Sequence, residues 1–107
     1  MALSLPEATE RAHMQHPDFR VCGRIFATLG YPHDGWGMVS LNPKQQAMFV
    51  DAEPEAFIPV AGAWGRKGAT NVNLRAVSKD LLRKALEAAW SNKAPKRLAS
   101  RIEGQAG

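Results

Sequence analysis

Cysteine is almost missing from this chain of 107 residues: Cys22 stands alone, so no internal disulfide can form and no structural zinc site can be built from thiolates. No stretch approaches the roughly 18 consecutive apolar residues of a membrane-spanning helix. The opening Met1-Ala2-Leu3-Ser4-Leu5-Pro6 has neither a basic region nor a long apolar run, so no secretory signal is expected. Internal repeats, low-complexity tracts and linker-like Ser/Gly/Pro runs are also lacking. What remains is a single unit whose composition, 45% hydrophobic and 22% charged with 9 Gly and 7 Pro, is that of an ordinary folded domain. A lone cysteine and no exported character lead us to expect a cytoplasmic protein.

Charge is present but unevenly placed. Residues 1–55 carry four cations against seven acids, a net −3, whereas residues 56–107 carry ten cations against Asp80, Glu87 and Glu103, a net +7. A basic half within a small domain calls for an anionic partner, nucleic acid first and an acidic protein surface second, unless it is simply a solvated face.

Periodicity gives the elements. Phe19 to Leu29 alternates apolar and polar residues on each side of Cys22-Gly23, which predicts a β-hairpin with a two-residue turn. Trp36-Gly37-Met38-Val39-Ser40-Leu41 has strand composition and completes a three-stranded meander. Asn42-Pro43-Lys44-Gln45 reads as a helix start with a capping box, and Pro54 stops that helix after about Ala52. Phe57-Ile58-Pro59-Val60 is a short strand whose proline implies a sheet edge, and Thr70 to Arg75 alternates as a late strand. Ser78 caps a helix in which Leu82, Ala85, Leu86, Ala89 and Trp90 form one apolar stripe, expected as core. Past Pro95, the run Lys96-Arg97-Leu98-Ala99-Ser100-Arg101-Ile102 is basic, so the domain is placed at 1–95 and a basic tail or short helix at 96–107.

Enzyme motifs are not found. Gly65-Arg66-Lys67-Gly68-Ala69-Thr70 lacks the Gly-Lys-Ser/Thr ending of a P-loop, and Gly62, Gly65 and Gly68 do not have dinucleotide-fingerprint spacing. His13, His16 and Cys22 match no metal-ligand pattern, and His16-Pro17-Asp18 resembles a turn. Asp51, Glu53 and Glu55 flank a helix stop and are expected to be solvated. No catalytic residue, metal or cofactor is therefore expected. The unusual segment is Gly62-Ala63-Trp64-Gly65-Arg66-Lys67-Gly68, where glycines can bring backbone amides close to a phosphate, Arg66 and Lys67 supply charge, and Trp64 can stack on an unpaired base. Alternatively it is a glycine-rich hairpin tip whose tryptophan folds back as a lid on the core.

Several strings together resemble the MmcQ/YjbR family: Leu3-Ser4-Leu5-Pro6-Glu7-Ala8, His16-Pro17-Asp18-Phe19-Arg20-Val21, Gly23-Arg24-Ile25-Phe26-Ala27, Trp36-Gly37-Met38-Val39 and Gly62-Ala63-Trp64-Gly65. Their order and spacing carry the resemblance over roughly Leu3 to Lys96. It implies a frataxin-like (CyaY-like) α/β fold, an antiparallel sheet covered on one face by helices, and members are commonly described as DNA-binding proteins. Three departures stand out. The N-terminus is short where relatives carry a longer first helix, so Leu3 and Leu5 would sit in an interface if another copy covered the gap. Ala69 replaces a frequent aromatic, which favours the lid over the stacking platform for Trp64. Cys22 replaces a frequent glycine. An acidic iron-binding ridge is not expected, because the helix that would carry it is nearly missing. The resulting expectation is a non-enzymatic DNA-binding domain with Arg66 and Lys67 as primary phosphate contacts, Trp64 beside them, and Arg75, Lys93, Lys96, Arg97 and Arg101 as secondary ones. A homodimeric interaction module is the rival.

Overall fold

A computed structural model describes residues 2–13, 16–30 and 34–95. Residues 1, 14–15 and 31–33 and the segment 96–107 lie outside the described residues.

Six strands form one antiparallel sheet: β1 (Ala8–His13), β2 (His16–Val21), β3 (Arg24–Leu29), β4 (Trp36–Ser40), β5 (Phe57–Pro59) and β6 (Ala69–Asn73), in the order β1-β2-β3-β4-β6-β5. The β2–β3 turn falls at Cys22-Gly23 with φ of 50° and 80°, the positive pair that a type I′ turn demands. Pro59 lies in β5, the edge strand where a missing N–H does least harm. Helix α1 (Pro43–Ala52) starts at the expected capping box, in which Gln45 N–H donates to Asn42 Oδ1 at 2.8 Å and Asn42 N–H to Gln45 Oε1 at 3.0 Å. The long helix, labelled α3 below because a short one precedes it, spans Lys79–Lys93 with Ser78 as its N-cap.

Period-two alternation puts Ala27, Val39 and Thr70 in one cross-strand row and Thr28, Met38 and Asn71 in the row on the opposite face. The helices cover the first row. Phe26, Phe57, Val72, Ala85, Ala89 and Trp90 are buried, and Phe49 of α1 meets Phe57 of β5 with ring centroids 5.2 Å apart. The Trp90 indole has its own partner, donating from Nε1 to Pro6 O at 2.9 Å, which ties the N-terminal segment to α3. Among the described residues no helix is long and apolar enough to cross a membrane.

The N-terminal part departs from expectation. His16-Pro17-Asp18 is not a turn but the start of β2, paired with β1 from Ala8↔Val21 to His13↔His16. The strand β1 carried no alternation signal because Thr9, Glu10, Arg11 and Ala12 are all exposed at the sheet edge. Pro17 is tolerated because β3 begins to pair with β2 only at Asp18↔Thr28, which leaves β2 an edge beside Pro17. Asp18 is buried and held by Arg20 through Nε–Oδ1 at 2.8 Å and Nη2–Oδ2 at 3.2 Å. The hydrogen bond to Asp18 raises the Arg20 pKa above its ordinary value, with desolvation opposing.

Candidate nucleic-acid interface

The glycine-rich segment connects β5 to β6. Val60 N–H donates to Ala69 O at 3.0 Å, and between those residues the chain makes one helical turn, α2 (Ala63–Arg66). The glycines serve that turn. A Cβ on Gly65 would stand 1.6 Å from Val60 O, and one on Gly68 would stand 2.1 Å from Leu41 O, so both positions exist to let backbone meet backbone. The amides are engaged as well: Arg66 N–H donates to Gly62 O, Lys67 N–H to Ala63 O and Gly68 N–H to Gly65 O. A phosphate cradle of free amides, as the glycine spacing suggested, therefore does not form from Arg66, Lys67 and Gly68.

Trp64 is 73% exposed, which overturns the expectation of a core lid. The cause is the helical turn itself. Gly65 is the residue of α2 that faces inward, and Trp64, about 100° around the helix from it, is turned outward. Arg66 and Lys67 are exposed too. Lys67 lies three residues after Trp64, on the neighbouring face of the turn.

This turn is firmly mounted. Gln46 of α1 donates from Nε2 to Gly65 O at 2.9 Å and to Ala69 O at 3.0 Å, clamping α2 and the start of β6 to α1. The N-terminus of α1 is tied in turn to the end of α3, because Asn92 Nδ2 donates to Ser40 O at 3.0 Å and to Gln45 Oε1 at 2.7 Å. These bonds join three elements whose sequence positions are far apart.

Strand register and hydrogen bonds show which cations share this end of the sheet. The β3–β4 pairing ends at Ala27↔Val39, and Arg24 is brought to this end through α3, because it bonds Lys93, the neighbour of the Asn92 that bonds Ser40 O and Gln45 Oε1. Ser40 faces Ala69, and just beyond that pair Gly68 packs against Leu41 O and Asn42, which brings Lys67 beside the start of α1. Lys44 is exposed in the first turn of α1, and Arg24 Nη1 donates to Lys93 O at 3.4 Å. Among the described residues Lys44, Arg66 and Lys67 take part in no ion pair.

The predicted set is thus divided. Trp64, Arg66, Lys67 and Lys93 come to one end. Arg75 stands at the other, roughly 15 Å away along β6, with its Nε 3.2 Å from where a Cβ on Gly35 would be. Asp34, Asp51, Glu53 and Glu55 belong to the turns and helix end on that side. Lys96, Arg97 and Arg101 lie outside the described residues. Sequence reasoning missed Arg24, Lys44 and Gln46, although the hairpin turn at Cys22-Gly23 and the N-cap at Asn42 were sufficient to bring Arg24 and Lys44 to a common end. Among the described residues no group of three or more His, Cys, Asp or Glu is placed to hold a metal.

A six-stranded antiparallel sheet with helices on one side and a mounted, basic hairpin connection defines a small mixed α and β domain. The model of the YjbR family matches residues 3–92, and the chain belongs to that family. Among solved structures it is similar to the crystal structure of the Deinococcus radiodurans protein DR2400, which carries a domain designated DUF419. That similarity has a TM-score of 0.70 at 18% identity, covering 85% of this chain and 71% of the other, and it establishes the fold. No curated protein matches the chain.

Proposed function

We propose that the chain is a non-enzymatic, cytoplasmic nucleic-acid-binding domain that contacts the phosphate backbone with little sequence preference, through Arg66 and Lys67. The observation that carries this reading is a tryptophan 73% exposed beside two cations, Arg66 and Lys67, that form no ion pair among the described residues, all on a clamped helical turn. An exposed aromatic ring beside free cations matches what a nucleic acid offers, a line of phosphates and flat bases. Direct reading of base pairs is not part of the proposal, since α2 has four residues and no row of side chains with which to enter a major groove. Replacing Arg66 and Lys67 together by alanine flattens the plot of log affinity against log salt on duplex DNA by about 1.8, at about 0.9 per phosphate contact. An unchanged slope would remove these residues from the interface.

One feature favours a second reading, an interaction module that pairs with another copy. A half-open apolar cavity of about 190 Å³ lies between α3 and the sheet, lined among others by Ala2, Leu29, Val39, Leu74, Leu82 and Leu86. Leu3 beside it in sequence is 51% exposed. Light scattering at micromolar concentration decides this reading: a strict monomer excludes it.

A further inference from the structure

Trp64, Lys67, Lys44 and Arg24 come from two hairpin connections and a helix start, and the fold sets them along one end of the sheet. We propose that this end takes a single strand of nucleic acid, its backbone crossing Lys67, Lys44 and Arg24 while a base stacks on Trp64. The inference rests on the nucleic-acid reading above and adds the strandedness of the ligand and two binding residues.

Three observations lead to a single strand. The exposed ring of Trp64 can be used only by a base whose face is open, and in a duplex those faces are already stacked on one another. The turn that carries it is four residues long and ends against Gly68, which touches the start of α1, so α2 does not project far enough to follow a groove. Gly68 packs on Asn42, two residues before Lys44, and Arg24 bonds Lys93 beside the Asn92 that bonds Gln45, so Lys67, Lys44 and Arg24 come from adjoining segments and form a short track. No acid lies in the described ends of β3, β4 and α3, the first turn of α1 or α2; the exposed Glu7, just before β1 at the same end, lies beyond β2 on the far side of Arg24 from Lys44 and Lys67.

Rigidity supports the same conclusion. Gln46 holds α2, Asn92 and the capping box hold the first turn of α1, and Arg24 is bonded to the last turn of α3. Side chains mounted in this way lose little freedom on binding beyond their own rotamers, so a weak sequence-independent contact is attainable with few residues.

The test uses the full chain and two fluorescent probes, an oligothymidylate of roughly 12 nucleotides, within the site sizes of single domains, and a hairpin duplex of similar charge. The single strand should bind more tightly. Trp64→Ala should weaken single-strand binding on the order of 5- to 150-fold and leave the duplex unaffected. Lys44→Ala with Arg24→Gln should lower the single-strand salt slope by about 1.4, at about 0.7 for each phosphate contact, and Lys44→Ala alone by half of that. Because Arg24 also bonds to Lys93 O, the thermal midpoint of Arg24→Gln is recorded, and Lys44→Ala carries the result should that variant unfold. Arg83→Ala, on the exposed face of α3, serves as the charge control; an equal loss of slope there would reduce the track to net charge and overturn it. Equal binding of duplex and single strand, indifferent to Trp64→Ala, would overturn this inference while the nucleic-acid reading stands. No binding of either probe at low salt would take down both.

Discussion

Replacing Gln46 by alanine removes the two bonds that hold α2 against α1, at 2.9 Å to Gly65 O and 3.0 Å to Ala69 O. Each bond contributes about 0.5–1.5 kcal/mol net. Neither carbonyl becomes an orphan, since Gly65 O still accepts from Gly68 N–H and Ala69 O from Val60 N–H. The added penalty of an unsatisfied buried acceptor is therefore avoided, and a total loss of about 1–3 kcal/mol is expected. For a domain of this size each kcal/mol lowers the thermal midpoint by about 4–8 °C. Gln46→Glu should cost more, because a carboxylate then faces two carbonyl oxygens. Their repulsion raises the folded-state pKa of the introduced carboxyl above its unfolded value of about 4.3. The deficit is therefore smallest below about pH 4.3 and grows as pH rises through the folded pKa. Urea denaturation followed by tryptophan fluorescence measures both variants, and oligonucleotide affinity should fall with Gln46→Ala although no charge has been removed. Unchanged urea midpoints in both variants would show that the clamp holds nothing.

Three further substitutions probe the frame around the site. Gly65→Ala places a Cβ 1.6 Å from the Val60 carbonyl, backbone against side chain, so a loss of roughly 3 kcal/mol is expected, and a benign result in urea would contradict the close approach. Trp90→Phe strands Pro6 O and should cost about 1–3 kcal/mol, with faster proteolytic cleavage near Pro6; a wild-type digestion pattern would mean the N-terminal segment is held elsewhere. Cys22→Asn, at a non-glycine residue with φ of 50°, should raise stability by about 0.5 kcal/mol, and a decrease would count against the type I′ turn.

Residues with strong local chemistry announced themselves in the sequence. Asn42 and Gln45 specified a capping box, Cys22-Gly23 a tight turn, Pro59 an edge, and the Leu82 to Trp90 stripe a buried helix face, and each is realised where it was expected. The strand β1 escaped because an edge exposed on both faces has no reason to alternate. The helical turn α2 escaped because its determinants are not local: Gly65 and Gly68 answer to carbonyls of Val60 and Leu41, and Gln46 reaches across from another element. Trp64 was misjudged for the same reason, since its exposure follows from which residue of a four-residue helix faces inward. Charge was legible as a half-chain asymmetry, yet the fold regroups it, bringing Arg24 and Lys44 toward Lys67 and leaving Arg75 apart.

The central claim, that the end of the sheet bearing α2 contacts nucleic acid, is tested most directly by following backbone amides and the three indole N–H groups by NMR as the oligothymidylate is added. The account predicts that the Trp64 indole and the amides of Arg66, Lys67 and Lys44 shift progressively, that the buried Trp90 indole stays still, and that added salt reverses the shifts. Shifts gathered instead around Arg75 and Asp34, or none at all at low salt, would contradict it.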